Sequence, residues 1–333
     1  MRSMSALGAH FRRYTALAGL AATAACSSGT GPDGGGTEGK TDPAGTVSGR
    51  ISFGAGLLGV AVSPSGIGYV STGLGTLARF NTQAPYAQLS PVTTGPSPRD
   101  VLIDRAGTTA YAATDNGKVY VVDLAAGTMK ATLAVGDTSL GGDARQHELA
   151  LAPDGSRAYL VVRGRLWSIP TNGGASTSVA RSGQAIAVSP STGAIYVSNA
   201  DDIKVSRVDP STLLTLATSS ATFNGSVVAV SPLGDEVYVD SPNGLLHVLD
   251  PTTLAERGQV NLPTYFVSGI TFSPDGTQIY VALFDSKLAI VDRATRTVVS
   301  TLTLGGIPLG VAFDPQGTTA FVVNLEGWVD VIR

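Results

Sequence analysis

Arg145-Gln146-His147-Glu148 sets an imidazole beside a carboxylate, and no other histidine in the chain has an acidic neighbour. Such a pair could serve as a general base, or as two ligands of a divalent metal. Neighbours along a strand point to opposite faces, so adjacency alone does not make them partners. The remaining chemistry is sparse. The single cysteine, Cys26, excludes an intrachain disulfide, a C-x-x-C-H haem site and a thiolate metal cage. There is no G-x-S-x-G elbow and no phosphate-cradling loop opening a helix. No cofactor is expected.

Other residues able to bind a ligand recur at intervals, which turns attention to the elements that carry them. Lining up GVAVSPSGIGYVS, ELALAPDGSRAYLV, GITFSPDGTQIYVA and their sister phrases gives seven aromatic anchors: Tyr69, Tyr111, Tyr159, Tyr196, Tyr238, Tyr280 and Phe321. Their spacings are 42, 48, 37, 42, 42 and 41. Strand patterning at periods near 40 predicts propeller blades. Each unit reads as strand, Pro/Gly turn, strand, short loop, a third strand such as KVYVVD or KLAIVD, a turn and a fourth strand. Asn81, Asp123, Asp209, Asp250 and Asp292 close the third strands and are read as local turn caps, not as an acidic row. His247, Trp167 and Trp328 fall in third strands and are read as blade packing.

The last unit stops at GWVDVIR without a fourth strand, while TVSGRISFG at 46 to 54 reads as a strand without a blade. The expected fold is therefore all-β: a seven-bladed β-propeller of four-stranded blades, closed by an N-terminal strand that completes the last blade. It spans residues 46–333 as one domain.

The preceding residues read as an address. Arg12 and Arg13 precede a short apolar run, too short to span a bilayer, and Thr23-Ala24-Ala25 precede Cys26. Residues 1–25 resemble a bacterial lipoprotein signal peptide with Cys26 as the lipidated residue, although Thr23 stands where that pattern has Leu. An ordinary signal peptide with an incidental cysteine is the other reading. Residues 26–45 are rich in Gly, Ser, Thr, Pro and charge with no apolar periodicity, and are expected to be a disordered tether spanning about 25 Å. The resulting expectation is an exported protein, anchored in the cell envelope through its N-terminal lipid only, with Ser27 pointing to the outer membrane. The net charge is −3, and Arg2, Arg12 and Arg13 lie in the leader, so the rest is more acidic still. That argues against broad nucleic-acid binding, which needs a basic patch.

Tyr196-Val197-Ser198-Asn199 and Ile307-Pro308-Leu309-Gly310-Val311-Ala312-Phe313 resemble the YVTN-repeat (YncE-like) seven-bladed propellers, a likeness that runs over nearly all of residues 46–333. The resemblance implies an exported binding or surface protein. Propellers of related architecture include sugar lactonases, a metal-dependent lyase and quinoprotein dehydrogenase subunits, so the fold does not choose a chemistry.

In such propellers the loops leading into the inner strands share one face with the loops between second and third strands. That places Arg99, Asp100, Arg145, Gln146, His147, Glu148, Arg181, Gln184, Asn224, Tyr265 and Phe266 on a candidate ligand-binding face, with Asp115, Asn116, Asn243 and Asp285 beside them. The spacing of 48 puts about six extra residues on this face near His147. The expected function is a binding scaffold without turnover, for an envelope protein, a peptide or a glycan. The alternative is a metal-dependent lactonase- or lyase-type enzyme at His147 and Glu148.

Overall fold

Alternation of two places the apolar residues of each short strand, and each blade stacks four such strands into an antiparallel meander. The computed structural model describes residues 45–333, apart from Ala55, Asp115, Asn116, residues 136–147, Arg163, Ala200 and Asp201. It contains seven four-stranded sheets, arranged as a β-propeller. Cys26, the leader, the tether, Arg145, Gln146 and His147 lie outside the described residues.

Second strands such as Ile195–Asn199 are buried at every position, because a neighbouring blade covers each face. Outer strands such as Thr297–Thr303 alternate exposed and half-buried, because the blades diverge toward the rim. The apolar core is correspondingly divided. Seven clusters fill the seven seams between blades, among them Phe80 of the first blade with Phe321 of the last, their rings 5.0 Å apart. The anchoring tyrosines also reach across seams. The Tyr196 hydroxyl donates to the Pro251 carbonyl at 2.6 Å, a turn of the next blade.

The repeated Pro/Gly turn is itself a joint between blades. Its first residue holds the turn from within, as where Ser273 Oγ accepts from the Gln278 N–H at 2.9 Å and Asp314 Oδ1 from the Thr318 N–H at 2.7 Å. In several blades its glycine lies against the proline of the preceding blade's turn. A Cβ on Gly107 would stand 2.6 Å from Pro64 Cδ, and one on Gly317 3.2 Å from Pro274 Cγ. Gly107 and Gly155 share nearly the same left-handed backbone (φ +68 and +71), yet Gly155 has open space where its side chain would go. Gly155→Ala is therefore expected to cost about 1 kcal/mol from the backbone alone. Gly107→Ala is expected to cost about 2–4 kcal/mol, since proline must also give way. Chemical denaturation of the two variants checks this, and equal losses would contradict the joint.

The acids closing the third strands are turn caps, as the sequence suggests. Asp250 Oδ1 accepts from the Thr252 and Thr253 N–H groups at 2.8 and 2.7 Å, and Asp209 is held in the same way by Ser211 and Thr212. Hydrogen bonds from those partners lower both carboxyls to about 2. The ring closes as expected: Val47–Ser52 pairs antiparallel with Trp328–Ile332 and completes the seventh blade.

Candidate functional site

The inner strands of all seven blades surround a central cavity of about 370 Å³. Its wall is mostly aliphatic, including Leu58, Val101, Leu149, Ile186, Val228 and Ile270, with Asp100 and Thr271 as polar members. Exposure rises along the inner strands toward their C-terminal ends: Leu57–Val62 runs from three buried to three half-buried residues, and Val267–Phe272 from four buried to two half-buried.

The face proposed for ligands divides into two regions. In blades two to four the side chains are drawn inward. Asp100 is buried in the cavity wall, where Oδ1 accepts the Val101 N–H at 2.8 Å, and Glu148 is buried at the start of its inner strand. Arg99, Arg181 and Gln184 are half-buried. Arg181 donates to Thr215 Oγ1, and burial lowers its guanidinium from the ordinary arginine range, with Asp202 opposing that shift. Across blades four to six the side chains turn outward. Asn224 is exposed, Tyr265 is 63 % and Phe266 54 % exposed, and Phe284 is exposed beside them. The Phe284 N–H donates to the Phe266 carbonyl at 3.1 Å, and Tyr265 Cδ1 lies 3.3 Å from where a Cβ on Gly244 would be. The Asn224 N–H contacts the Ile203 carbonyl at 3.2 Å. Asn224, Tyr265 and Phe266 thus belong with Asn243 to one crest, to which Ile203 and Phe284 are added by the fold.

Among the described residues, no group of three or more His, Cys, Asp and Glu side chains converges as a metal centre; His147 lies outside them. His247 packs its ring on Phe223 at 4.8 Å, and its nitrogens meet Ser241 Oγ at 2.9 Å and Glu256 Oε1 at 2.8 Å. These contacts match its reading as a blade residue.

A buried carboxylate passed over in the sequence stands behind the crest. The residue two places after the aromatic anchor of a second strand can bridge to the inner strand where it is polar. In blade one Ser71 Oγ accepts the Gly59 N–H at 2.7 Å and donates to the Arg99 carbonyl at 3.1 Å, one blade on. Asp240 takes this place in blade five, with Oδ1 accepting the Val227 N–H at 2.7 Å and Oδ2 the Ser226 hydroxyl at 2.9 Å. The sequence signal is the substitution pattern, since the equivalent positions hold Ser71, Ala113, Val161, Ser198, Ala282 and Val323.

Burial pushes Asp240 up to about 6, with the hydrogen bonds from Val227 and Ser226 opposing it. Its pKa is thus higher folded than unfolded, so the folded state binds the proton more tightly. Stability from this group is full below about pH 4 and declines as pH rises through 6, by up to about 3 kcal/mol. Asp240→Asn keeps an acceptor for Val227 and removes the charge. Its thermal midpoint should exceed that of the parent at pH 7.5 and converge with it near pH 4. A constant difference across that range would contradict the assignment.

Compared with known proteins, the chain matches no protein-family model and no curated protein.

Proposed function

We propose that this chain is a YVTN-repeat-like envelope lipoprotein, tethered through Cys26, whose propeller binds a partner through its loop face without turnover. The observation that carries the binding reading is the crest of blades four to six, where Tyr265, Phe266 and Phe284 are presented to solvent by a scaffold whose own aromatics are otherwise buried in its seams. Large apolar side chains gathered on an exposed face mark interaction surfaces. Loops on a rigid frame are where recognition residues concentrate. The tether reading rests on the leader pattern and on the composition of residues 26–45.

A photo-crosslinking residue at Phe284, in cells, tests the binding reading. Adducts are expected there and not at Leu233, which is 67 % exposed in a Pro/Gly turn on the opposite face. Equal labelling at both positions, or none at Phe284, would count against it. Cys26→Ala should move the chain from the membrane to the soluble envelope fraction. Elemental mass spectrometry addresses the alternative enzyme reading: the scaffold is expected to carry no stoichiometric divalent metal. Metal at one per chain, lost in His147→Ala, would favour a hydrolase or lyase instead.

A further inference from the structure

We infer that the crest across blades four to six is a stacking site for a neutral oligosaccharide; this rests on the binding-face reading and names its ligand class. The crest is continuous. Ile203 and Asn224 meet through the backbone, Gly225 packs against Asp240 so closely that a Cβ would lie 2.5 Å from the Asp240 carbonyl, Gly244 seats Tyr265, and Phe266 meets Phe284. Along it, apolar and aromatic side chains (Ile203, Tyr265, Phe266, Phe284) are interleaved with the exposed amides Asn224 and Asn243.

The ligand must suit three properties of this surface. It must offer flat apolar patches, because the rings are open to solvent. It must also offer hydroxyls, because Asn224 brings two donor hydrogens and an acceptor oxygen, and Asn243, whose oxygen accepts from Ser241 Oγ, brings its amide hydrogens. And it must carry little net charge, because Asp285 and Lys287 at one end of the crest are paired with each other, and Lys204 at the other end shares its loop with the exposed Asp202. A pyranose meets all three: its C–H face lies on an aromatic ring while the hydroxyls around its edge reach amides. The crest is made of loops, so it has no sheet edge to which an extended peptide could add as a strand. Lys204 and Lys287, the lysines beside the crest, each stand near an aspartate, Asp202 and Asp285, an arrangement that suits a phosphate backbone poorly.

The test uses the full chain in detergent with three probes: the linear hexasaccharides of β-1,4-glucose, α-1,4-glucose and β-1,4-N-acetylglucosamine. Binding is followed by saturation-transfer NMR and calorimetry. At least one probe is expected to bind saturably. Tyr265→Ala should weaken it about tenfold or more, since truncated aromatic anchors typically cost over 1 kcal/mol. Tyr265→Phe should retain it, because stacking uses the ring and not the hydroxyl. Leu233→Ala, on the other face, should change nothing. The inference is overturned if no probe binds saturably, or if Tyr265→Ala and Phe284→Ala bind as the parent does. Crosslinking at Phe284 to an envelope protein, with no sugar bound, would overturn the glycan assignment while leaving the scaffold reading intact. Absence of both would remove the two together.

Discussion

Replacing residues 46–52 with a Gly/Ser segment of equal length is expected to abolish the soluble, cooperatively folded chain. The strand Val47–Ser52 hydrogen-bonds the N-terminal end of the propeller into the last blade's sheet, beside the seam in which Phe80 packs on Phe321. It pairs Arg50 with Asp330 and Ile51 with Val329, and the Thr46 and Arg333 backbones exchange hydrogen bonds at 2.8 and 3.0 Å. Ile51 is buried in the seam that holds Phe80 and Phe321. Arg50 lies over the Trp328 ring at 4.6 Å and bonds Asp330, whose side chain is fully buried. Removing the segment uncovers Ile51's site at about 2–3 kcal/mol, strands a buried carboxylate at about 3–5 kcal/mol, and leaves the strand Trp328–Ile332 as an open edge. Together these rival the whole stability of an ordinary domain, about 5–15 kcal/mol. Size-exclusion chromatography and urea unfolding should show aggregate or a loss of cooperativity. A monomer unfolding within about 2 kcal/mol of the parent would mean that the closure is dispensable. Arg50→Ala alone should cost about 2 kcal/mol, less than for a wholly buried pair because Arg50 is half exposed. Adding Asp330→Asn should recover much of that.

Glu236→Ala should produce the next largest loss, about 3 kcal/mol, by dismantling the strut between blades five and six. Glu236 Oε2 accepts from Arg293 Nε at 2.8 Å and from the Tyr238 hydroxyl at 2.7 Å, and Oε1 accepts from Arg296 Nη2 at 2.9 Å. The Glu236 and Arg293 side chains are only 13 % and 14 % exposed, so truncation strands a guanidinium and a phenol away from water. Asp235 bonds the same Arg293 but is half exposed, so Asp235→Ala should cost no more than about 1 kcal/mol. Equal effects at the two positions, measured by urea unfolding, would show that burial does not govern the strut.

The same carboxylates shape the acid limb of stability. Burial by itself would raise Glu236, but bonds from Tyr238, Arg293 and Arg296 leave it below its ordinary value. Asp209 and Asp250 are lowered to about 2 by their turn hydrogen bonds. For groups depressed in the folded state, the contribution is full above the unfolded pKa near 4 and is lost as pH falls toward 2. Asp240 works in the opposite sense between 4 and 6, and burial likewise raises Asp330. Stability should therefore be greatest near pH 4–5, and Asp240→Asn should flatten the arm above it.

Much of this architecture was legible before any coordinates. Strand alternation, the φ demands of a Pro/Gly turn and an Asp folding back on its own turn are interactions within a few residues. A repeat of such interactions near forty residues therefore announces blades, their number and even the unpaired strand at 46–54. The crest was half legible: Tyr265-Phe266 stand out as adjacent aromatics in a loop, and Asn224 lies in the corresponding loop of the neighbouring blade. Asn243 was already legible as a loop residue of the same face, whereas Ile203 and Phe284 join them only because consecutive blades pack side by side and bring three blades' loops together. Asp100 and Glu148 read as face residues in the chain, and the fold buries both, Asp100 in the cavity wall and Glu148 at the start of its inner strand.

Glu236 and Asp240 show where the limit lies. Both sit in one second strand and its turn, SPLGDEVYVD, where no neighbouring residue announces a role for either. Their roles come from Arg293 and Arg296, nearly sixty residues away, and from burial between blades. From the sequence by itself followed the periodic, local features: strand, turn, cap, blade count and closure. The tertiary structure alone decided which polar groups are buried, which blades they join and which side chains face water, because those outcomes depend on contacts across seams that no local pattern encodes.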